Sequence, residues 1–287
     1  MVRFVYVNGR YVRYHEARVH VEDRGFQFAD SVYEVCQVAG GRLIDEARHM
    51  ARLERSLGEL EIVQPMSPRA LGLILRETIR RNRVRDGLVY LQVTRGVAPR
   101  DFVFPPCTTR PTLIVLARSI DPALLSARAR QGIAVTTVPD LRWARCDLKT
   151  TMLLPACLAK QAAKKAGAQE AWFVDEAGFV TEGASSNAWI ITHDRRVVTR
   201  PLGREILGGV TRRTLLDVLE RCELMLEERA FRVEEALNAQ EAFVTSASAT
   251  VMPVVRINDR AIGTGRPGPV VEFLRARFGE VAAVSDT

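Results

Sequence analysis

Lysine is scarce in this chain. Lys and Arg together number 41, yet only Lys149, Lys160, Lys164 and Lys165 are lysines. An amine partly withdrawn from water can lose its proton near neutral pH and form an imine, whereas a guanidinium cannot. Lys160, Lys164 and Lys165 share an alanine-rich helical stretch, where solvated lysines are ordinary. Lys149 stands apart, ahead of the apolar run Met152-Leu153-Leu154-Pro155. On its residue type and position alone it reads either as a loop charge or as an amine available for covalent chemistry. An isolated acid, Glu182, lies in Val180-Thr181-Glu182-Gly183-Ala184-Ser185-Ser186-Asn187, at a predicted strand end before a turn of small residues. A carboxylate there can take a proton from a ring nitrogen or can simply cap the turn.

Two stretches could hold an anion. Leu207-Gly208-Gly209-Val210-Thr211-Arg212 places two glycines ahead of a predicted helix, whose first amides and positive dipole end suit a phosphate. It reads equally as an ordinary loop-to-helix junction. Thr245-Ser246-Ala247-Ser248-Ala249-Thr250 is small and hydroxylic after a strand, and is either a second wall of such a site or a plain turn. Other chemistries lack their residues. The four histidines show neither HExxH nor zinc spacing, and no metal site is expected. There is no Gly-x-Ser-x-Gly elbow, P-loop or GxGxxG.

The elements that must position these groups alternate between strand and helix. Asn8-Gly9 turns a hairpin between Phe4–Val7 and Tyr11–Tyr14. A second pair joins residues 31–38 to 42–44 through Gly40-Gly41, after a polar, turn-rich stretch over 22–30. Helical spacing runs from Asp45 to about Leu60, and Ser67-Pro68 starts another helix that reaches about Asn82. Strands are predicted at 88–94, 112–117, 133–138, 171–174, 189–192 and 242–245. Helices are predicted at about 155–166, 210–222 and 269–278. Residues 119–126, with Asp121-Pro122, read as a linker between an N-terminal domain (1–118) and a C-terminal domain (127–287). The mixture of elements indicates an α/β (α+β) protein.

The chain has 287 residues, 47% hydrophobic and 26% charged, as expected of one large or two ordinary globular domains. Its net charge of +7 favours anions. The basic run 80–85 reads as the solvated end of a helix, and no nucleic-acid motif accompanies it. Five scattered cysteines without CxxC read as reduced thiols. No signal-peptide h-region and no 18-residue apolar stretch is present, so a cytoplasmic protein with no membrane partner is expected.

Taken in order, Lys149, Thr181-Glu182-Gly183-x-Ser185-Ser186-Asn187, Gly209-Val210-Thr211-Arg212 and Val244-Thr245-Ser246 resemble the fold-type IV pyridoxal-phosphate (PLP) enzymes. So do Asp30-Ser31-Val32-Tyr33-Glu34-Val35, His49-Met50-Ala51-Arg52-Leu53 and Gln92–Arg100 upstream, and the likeness spans about residues 3–255. Within that family the chain most resembles the D-amino-acid aminotransferases. The resemblance implies a small N-terminal α/β domain and a larger C-terminal pseudo-barrel domain. It implies a homodimer with the active site near the subunit interface. It also implies PLP as cofactor, and an amino donor and a 2-oxo acid acceptor as substrates.

By the same resemblance, Lys149 carries PLP and shuttles the proton, and Glu182 pairs with the ring nitrogen. Arg52, Val210, Thr211, Ala247 and Ser248 hold the phosphate, Arg52 bidentately, and Leu207 packs on the ring. Tyr33 and Arg100 bind the substrate carboxylate, Arg100 reaching in from a partner subunit. One position departs from the pattern: Arg100-Asp101-Phe102 stands where D-specific enzymes carry Arg-x-His. Phe102 cannot donate a hydrogen bond, which costs a charge-assisted contact worth about 1–3 kcal/mol. A looser carboxylate trap and a more apolar pocket follow. That keeps an (R)-selective amine transaminase in view, beside a branched-chain aminotransferase and aminodeoxychorismate lyase, which share the fold that the resemblance implies. A non-catalytic binding protein would lack Lys149 or Glu182, and both are present.

Overall fold

The protein is described from a computed structural model over residues 3–222 and 224–284. It divides into two compact units. The first runs to Asp121 and regains the chain at Leu148–Met152 and again from Ala283. The second comprises Pro122–Asp147 and Leu153–Ala282.

The first unit contains β1 (Phe4–Val7), β2 (Arg10–Arg13), α1 (Arg24–Phe28), β3 (Ser31–Ala39), β4 (Arg42–Leu43), α2 (Glu46–Glu59), α3 (Pro68–Arg81), β5 (Gly87–Thr94) and β6 (Thr112–Ser119). Its sheet has the order β2-β1-β6-β5-β3-β4 and every pairing is antiparallel. Leu53 and Leu57 of α2 and Leu71, Leu75 and Ile79 of α3 pack on Cys36, Val89, Leu91, Val93 and Val115 of the sheet. The alternation along β5 shows one buried face meeting the apolar stripes of two helices. Ser67 caps α3 by accepting from the Ala70 amide, with Pro68 in the first turn. The stretch read as polar and turn-rich holds α1, capped by Asp23 accepting from the Gly25 amide.

The second unit contains α4 (Pro122–Gln131), β7 (Ile133–Pro139), α5 (Leu154–Lys165), β8 (Glu170–Val174), β9 (Val180–Gly183), β10 (Asn187–Ile191), β11 (Val197–Thr199), α6 (Val210–Arg221), β12 (Leu226–Glu228), α7 (Val233–Leu237), β13 (Glu241–Ser246), β14 (Thr250–Ile257), β15 (Arg260–Ala261) and α8 (Pro269–Val281). Residues 122–126, inside the stretch read as a linker, form the opening turns of α4, because proline is tolerated in a helix's first turn. The sheet order is β12-β11-β10-β13-β14-β7-β8-β9, with β15 on β14.

This sheet cannot be flat. β9 stands five strand positions from β10, about 24 Å at the usual spacing. Only Ala184–Ser186 join them, and so short a link reaches no more than about 15 Å. The sheet must therefore curl into a pseudo-barrel. Trp172, Val180, Ile190, Val244, Met252 and Val254 fill one face. Trp189, Phe243 and Val251, one residue out of phase, pack under α6 and α8. Ala134, Ala171 and Phe173 pack under α5. No helix among the described residues is long and apolar enough to cross a membrane.

Candidate active site

Lys149 belongs to the first unit because its segment is bonded to the edge of β3. The Tyr33 amide donates to the Lys149 carbonyl (3.0 Å), and the Thr151 amide to the Ser31 carbonyl (3.1 Å). Val32 and Thr150 bridge antiparallel between them, and the hydroxyls of Ser31 and Thr151 are also bonded. These bonds fix the backbone at Lys149 and leave its side chain half-buried. Nζ lies 4.3 Å from the Tyr33 ring centroid, and Tyr33 in turn stacks on Tyr90 at 5.5 Å. No carboxylate among the described residues pairs with Lys149.

The next residue along β3 after Tyr33 points to the other face. Glu34 is fully buried and accepts from Arg52 Nε and Nη2, both at 2.7 Å, and its Oε2 lies 2.7 Å from His49 Nδ1. Burial alone would raise the Glu34 pKa. The charge and hydrogen bonds of Arg52, together with His49, outweigh it and lower the carboxyl to about 2. The sequence reading gave the Arg52 fork to a phosphate; in the structure that fork holds Glu34.

The 95–104 loop is fastened from below. Asp30 Oδ2 accepts from both Arg24 Nε and Arg95 Nε at 2.7 Å, and Arg24 also donates to the Asp101 carbonyl. Arg100 stands exposed, its guanidinium 5.0 Å from the Phe28 ring centroid and 5.9 Å from that of Phe102. Phe102 is 79% exposed. An aromatic at this position therefore supports the arginine from the side and donates nothing.

In the second unit the buried carboxylate of Glu182 is gripped on both oxygens. Oε1 accepts from Arg142 Nη1. Oε2 accepts from Asn187 Nδ2 (3.0 Å) and from the Leu207 amide (3.1 Å). Arg142 also forks onto Asp140, with Nε to Oδ1 at 2.9 Å and Nη2 to Oδ2 at 2.8 Å. Thr181 donates to the same Asp140 oxygen at 2.7 Å. Burial opposes charge on both partners, but the bonds between them win: the Asp140 carboxyl is lowered and the Arg142 guanidinium raised. The acid therefore faces an arginine whose charge is shared with a second carboxylate. Arg142 and Asp140 were not assigned a role from sequence, since a contact across 40 residues leaves no local pattern. Burial pushes the nearby Cys146 thiol up to about 11, so it does not serve as a thiolate.

The two stretches read as candidate anion sites leave backbone amides free. Gly209 precedes α6 and provides no side-chain cap, and the Val210 and Thr211 amides have no partner among the described residues. A Cβ on Gly209 would meet Asn187 Oδ1 at 2.1 Å, so only glycine lets the helix start beside Asn187. Thr211 is 7% exposed, and its hydroxyl has no partner among the described residues. The amides of Ala247 and Ser248, at the turn between β13 and β14, likewise make no hydrogen bond there. The structure thus brings Val210 and Thr211 together at one helix start and Ala247 and Ser248 at one turn. Leu207 contributes its backbone to Glu182.

Known proteins supply the family. Residues 31–257 match the family described as amino-transferase class IV. The chain belongs to this family. Among class IV relatives, the D-alanine aminotransferase of Staphylococcus haemolyticus is 38% identical over 277 residues, 96% of each chain. That of Bacillus licheniformis is 39% identical over 268 residues, 93% of each chain. A T.th. branched-chain amino acid aminotransferase, solved with pyridoxamine 5'-phosphate, superposes with a TM-score of 0.88 at 25% identity, over 98% of this chain and 94% of the other. The residues fit the PLP that the class IV resemblance implies. Free amides and the unpartnered Thr211 hydroxyl suit a phosphate monoester, a buried carboxylate held by three donors suits a protonated pyridine nitrogen, and an unpaired amine suits an aldehyde.

Proposed function

We propose that the protein is a PLP-dependent transaminase that moves an amino group between a D-amino acid, such as D-alanine, and a 2-oxo acid, such as 2-oxoglutarate. The observation that carries the reading is Lys149, a half-buried amine paired with no carboxylate among the described residues and held over Tyr33. The identity to D-alanine aminotransferases supports the choice of substrate.

Bound PLP supplies an aldehyde to exchange for the amine and a ring to draw electrons from the reacting carbon. Lys149 would hold the cofactor, and its Nζ, once displaced by the substrate amine, would move the proton away from the substrate Cα. Glu182, oriented by Arg142, Asn187 and the Leu207 amide, would accept a hydrogen bond from the protonated ring nitrogen and keep that nitrogen charged. Val210, Thr211, Ala247 and Ser248 would bind the phosphate; Arg52, the further donor that the resemblance implies, has its Nε and Nη2 on Glu34. Leu207 covers the ring. Tyr33 and Arg100 orient the substrate carboxylate, and Phe102 makes the entrance apolar, the feature that would favour an (R)-amine as an alternative donor.

We also propose a homodimer. The exposed Phe26, Phe102 and Val103 leave apolar surface on one unit that a second copy would cover. A cytoplasmic location is supported by five cysteines that are all free. The direct test is an absorbance spectrum of the PLP-loaded protein before and after D-alanine. Conversion of the aldehyde form to the amine form supports the reading. Conversion by (R)-1-phenylethylamine, L-leucine or aminodeoxychorismate, with none by D-alanine, moves the substrate to the corresponding alternative.

A further inference from the structure

The hairpin between β13 and β14 turns on Ala247-Ser248-Ala249, and Thr250, which completes the turn, has φ +56°. Hairpins of this length place a left-handed residue there, usually glycine, and a β-branched side chain in that region is an outlier. The Thr250 hydroxyl donates to the Ala249 carbonyl (2.7 Å) within the hairpin, and a second hold comes from outside it. Arg275 of α8 directs Nη1 at three oxygens: the Ala249 carbonyl (3.1 Å), the Thr250 hydroxyl (3.1 Å) and the Val251 carbonyl (2.5 Å). No carboxylate among the described residues pairs with Arg275, whereas Arg277 on the same helix pairs with Glu280. Burial pulls the Arg275 pKa down from its usual range.

The turn has a second side. The Ser246 carbonyl accepts from the Ala249 amide at 3.3 Å. A planar trans peptide sets N–H opposite C=O, so the Ala247 amide faces away from the interior of the turn. The Ala247 and Ser248 amides find no partner among the described residues. Three oxygens are thus drawn to the arginine, and two amides are left for something else.

We infer that Arg275 is a positioning residue for the phosphate cup. By holding the oxygens of residues 249–251 it keeps Thr250 left-handed and the Ala247 and Ser248 amides presented to a phosphate monoester. Its unneutralised charge lies behind the same turn and adds to the attraction for a dianion. This rests on the proposed role of Ala247 and Ser248 as phosphate donors.

The test titrates the apo form of the full-length protein with PLP and with pyridoxal, which lacks the phosphate. Arg275→Met should weaken PLP about tenfold, the worth of one or two hydrogen bonds, and leave pyridoxal unchanged. Thr250→Gly in that background should recover most of the loss, because glycine takes the left-handed conformation without help. Equal weakening of PLP and pyridoxal, or no recovery by glycine, would overturn the inference. Should Arg275→Met fail to fold, Arg275→Gln is read the same way, since its shorter neutral side chain lacks both the reach and the charge of Nη1. Thr211→Val reports on the cup independently. If it leaves the PLP-to-pyridoxal ratio unchanged, the phosphate site itself is misplaced. If it lowers the ratio while the Arg275 variants do not, only the role of Arg275 fails.

Discussion

Glu182 and Lys149 illustrate opposite ways of readying a side chain. The lysine is kept uncompensated, whereas the glutamate is held by three donors so that its charge persists in a buried place. Glu182→Gln keeps the shape but cannot hold a proton against a charged ring nitrogen. Turnover should fall by about 100-fold or more while the protein still binds PLP; near-normal turnover would remove Glu182 from the mechanism. Arg142→Met leaves Asp140 and Glu182 facing each other without their shared cation. The expected cost is roughly 3–5 kcal/mol, read as a lower unfolding midpoint. Phe102→His would restore a donor beside Arg100 and should lower KM for D-alanine or D-glutamate, whereas an unchanged KM counts against the loose-trap account. Glu34 gives a pH signature. Its folded-state carboxyl lies below its ordinary value, so its stabilising contribution is complete above about pH 4.5 and is lost as pH falls toward 2. Glu34→Gln should destabilise the protein at neutral pH, and the gap to the parent should close across that acid window in denaturant titrations.

At the scale of elements, the start of α6 is the most constrained junction. Gly209→Ala would drive a methyl into Asn187 Oδ1. Asn187 bonds both Glu182 and the Leu207 carbonyl, so the clash would disturb the acid and the phosphate cup together. We expect lost turnover and weaker PLP binding with helix content retained by circular dichroism. Much of this was legible in the sequence. Glycines before an amphipathic run announced α6, Ser67-Pro68 announced α3, and Thr181–Asn187 placed the acid beside a strand. What stayed hidden has physical reasons. β11 and β12 are three residues each and show no periodicity. α4 opens with a proline that also suits a linker. Arg52 has the right residue type for a phosphate, but only the fold reveals that Glu34 takes its fork. Asp140, Arg142 and Arg275 act across tens of residues, where spacing carries no message.

At the scale of the whole molecule, the exposed apolar residues near Phe102 predict association. Sedimentation should give a dimer at micromolar concentration, and Phe26→Glu with Val103→Glu should yield monomers of reduced activity. A fully active monomer would remove the need for a partner's Arg100. The central claim concerns which of four lysines does the chemistry. The PLP-loaded protein is reduced with borohydride and digested, and the peptide that gains the pyridoxyl mass is sequenced. The account predicts that the label sits on Lys149. Label on Lys160, Lys164 or Lys165, or no label at all, contradicts it.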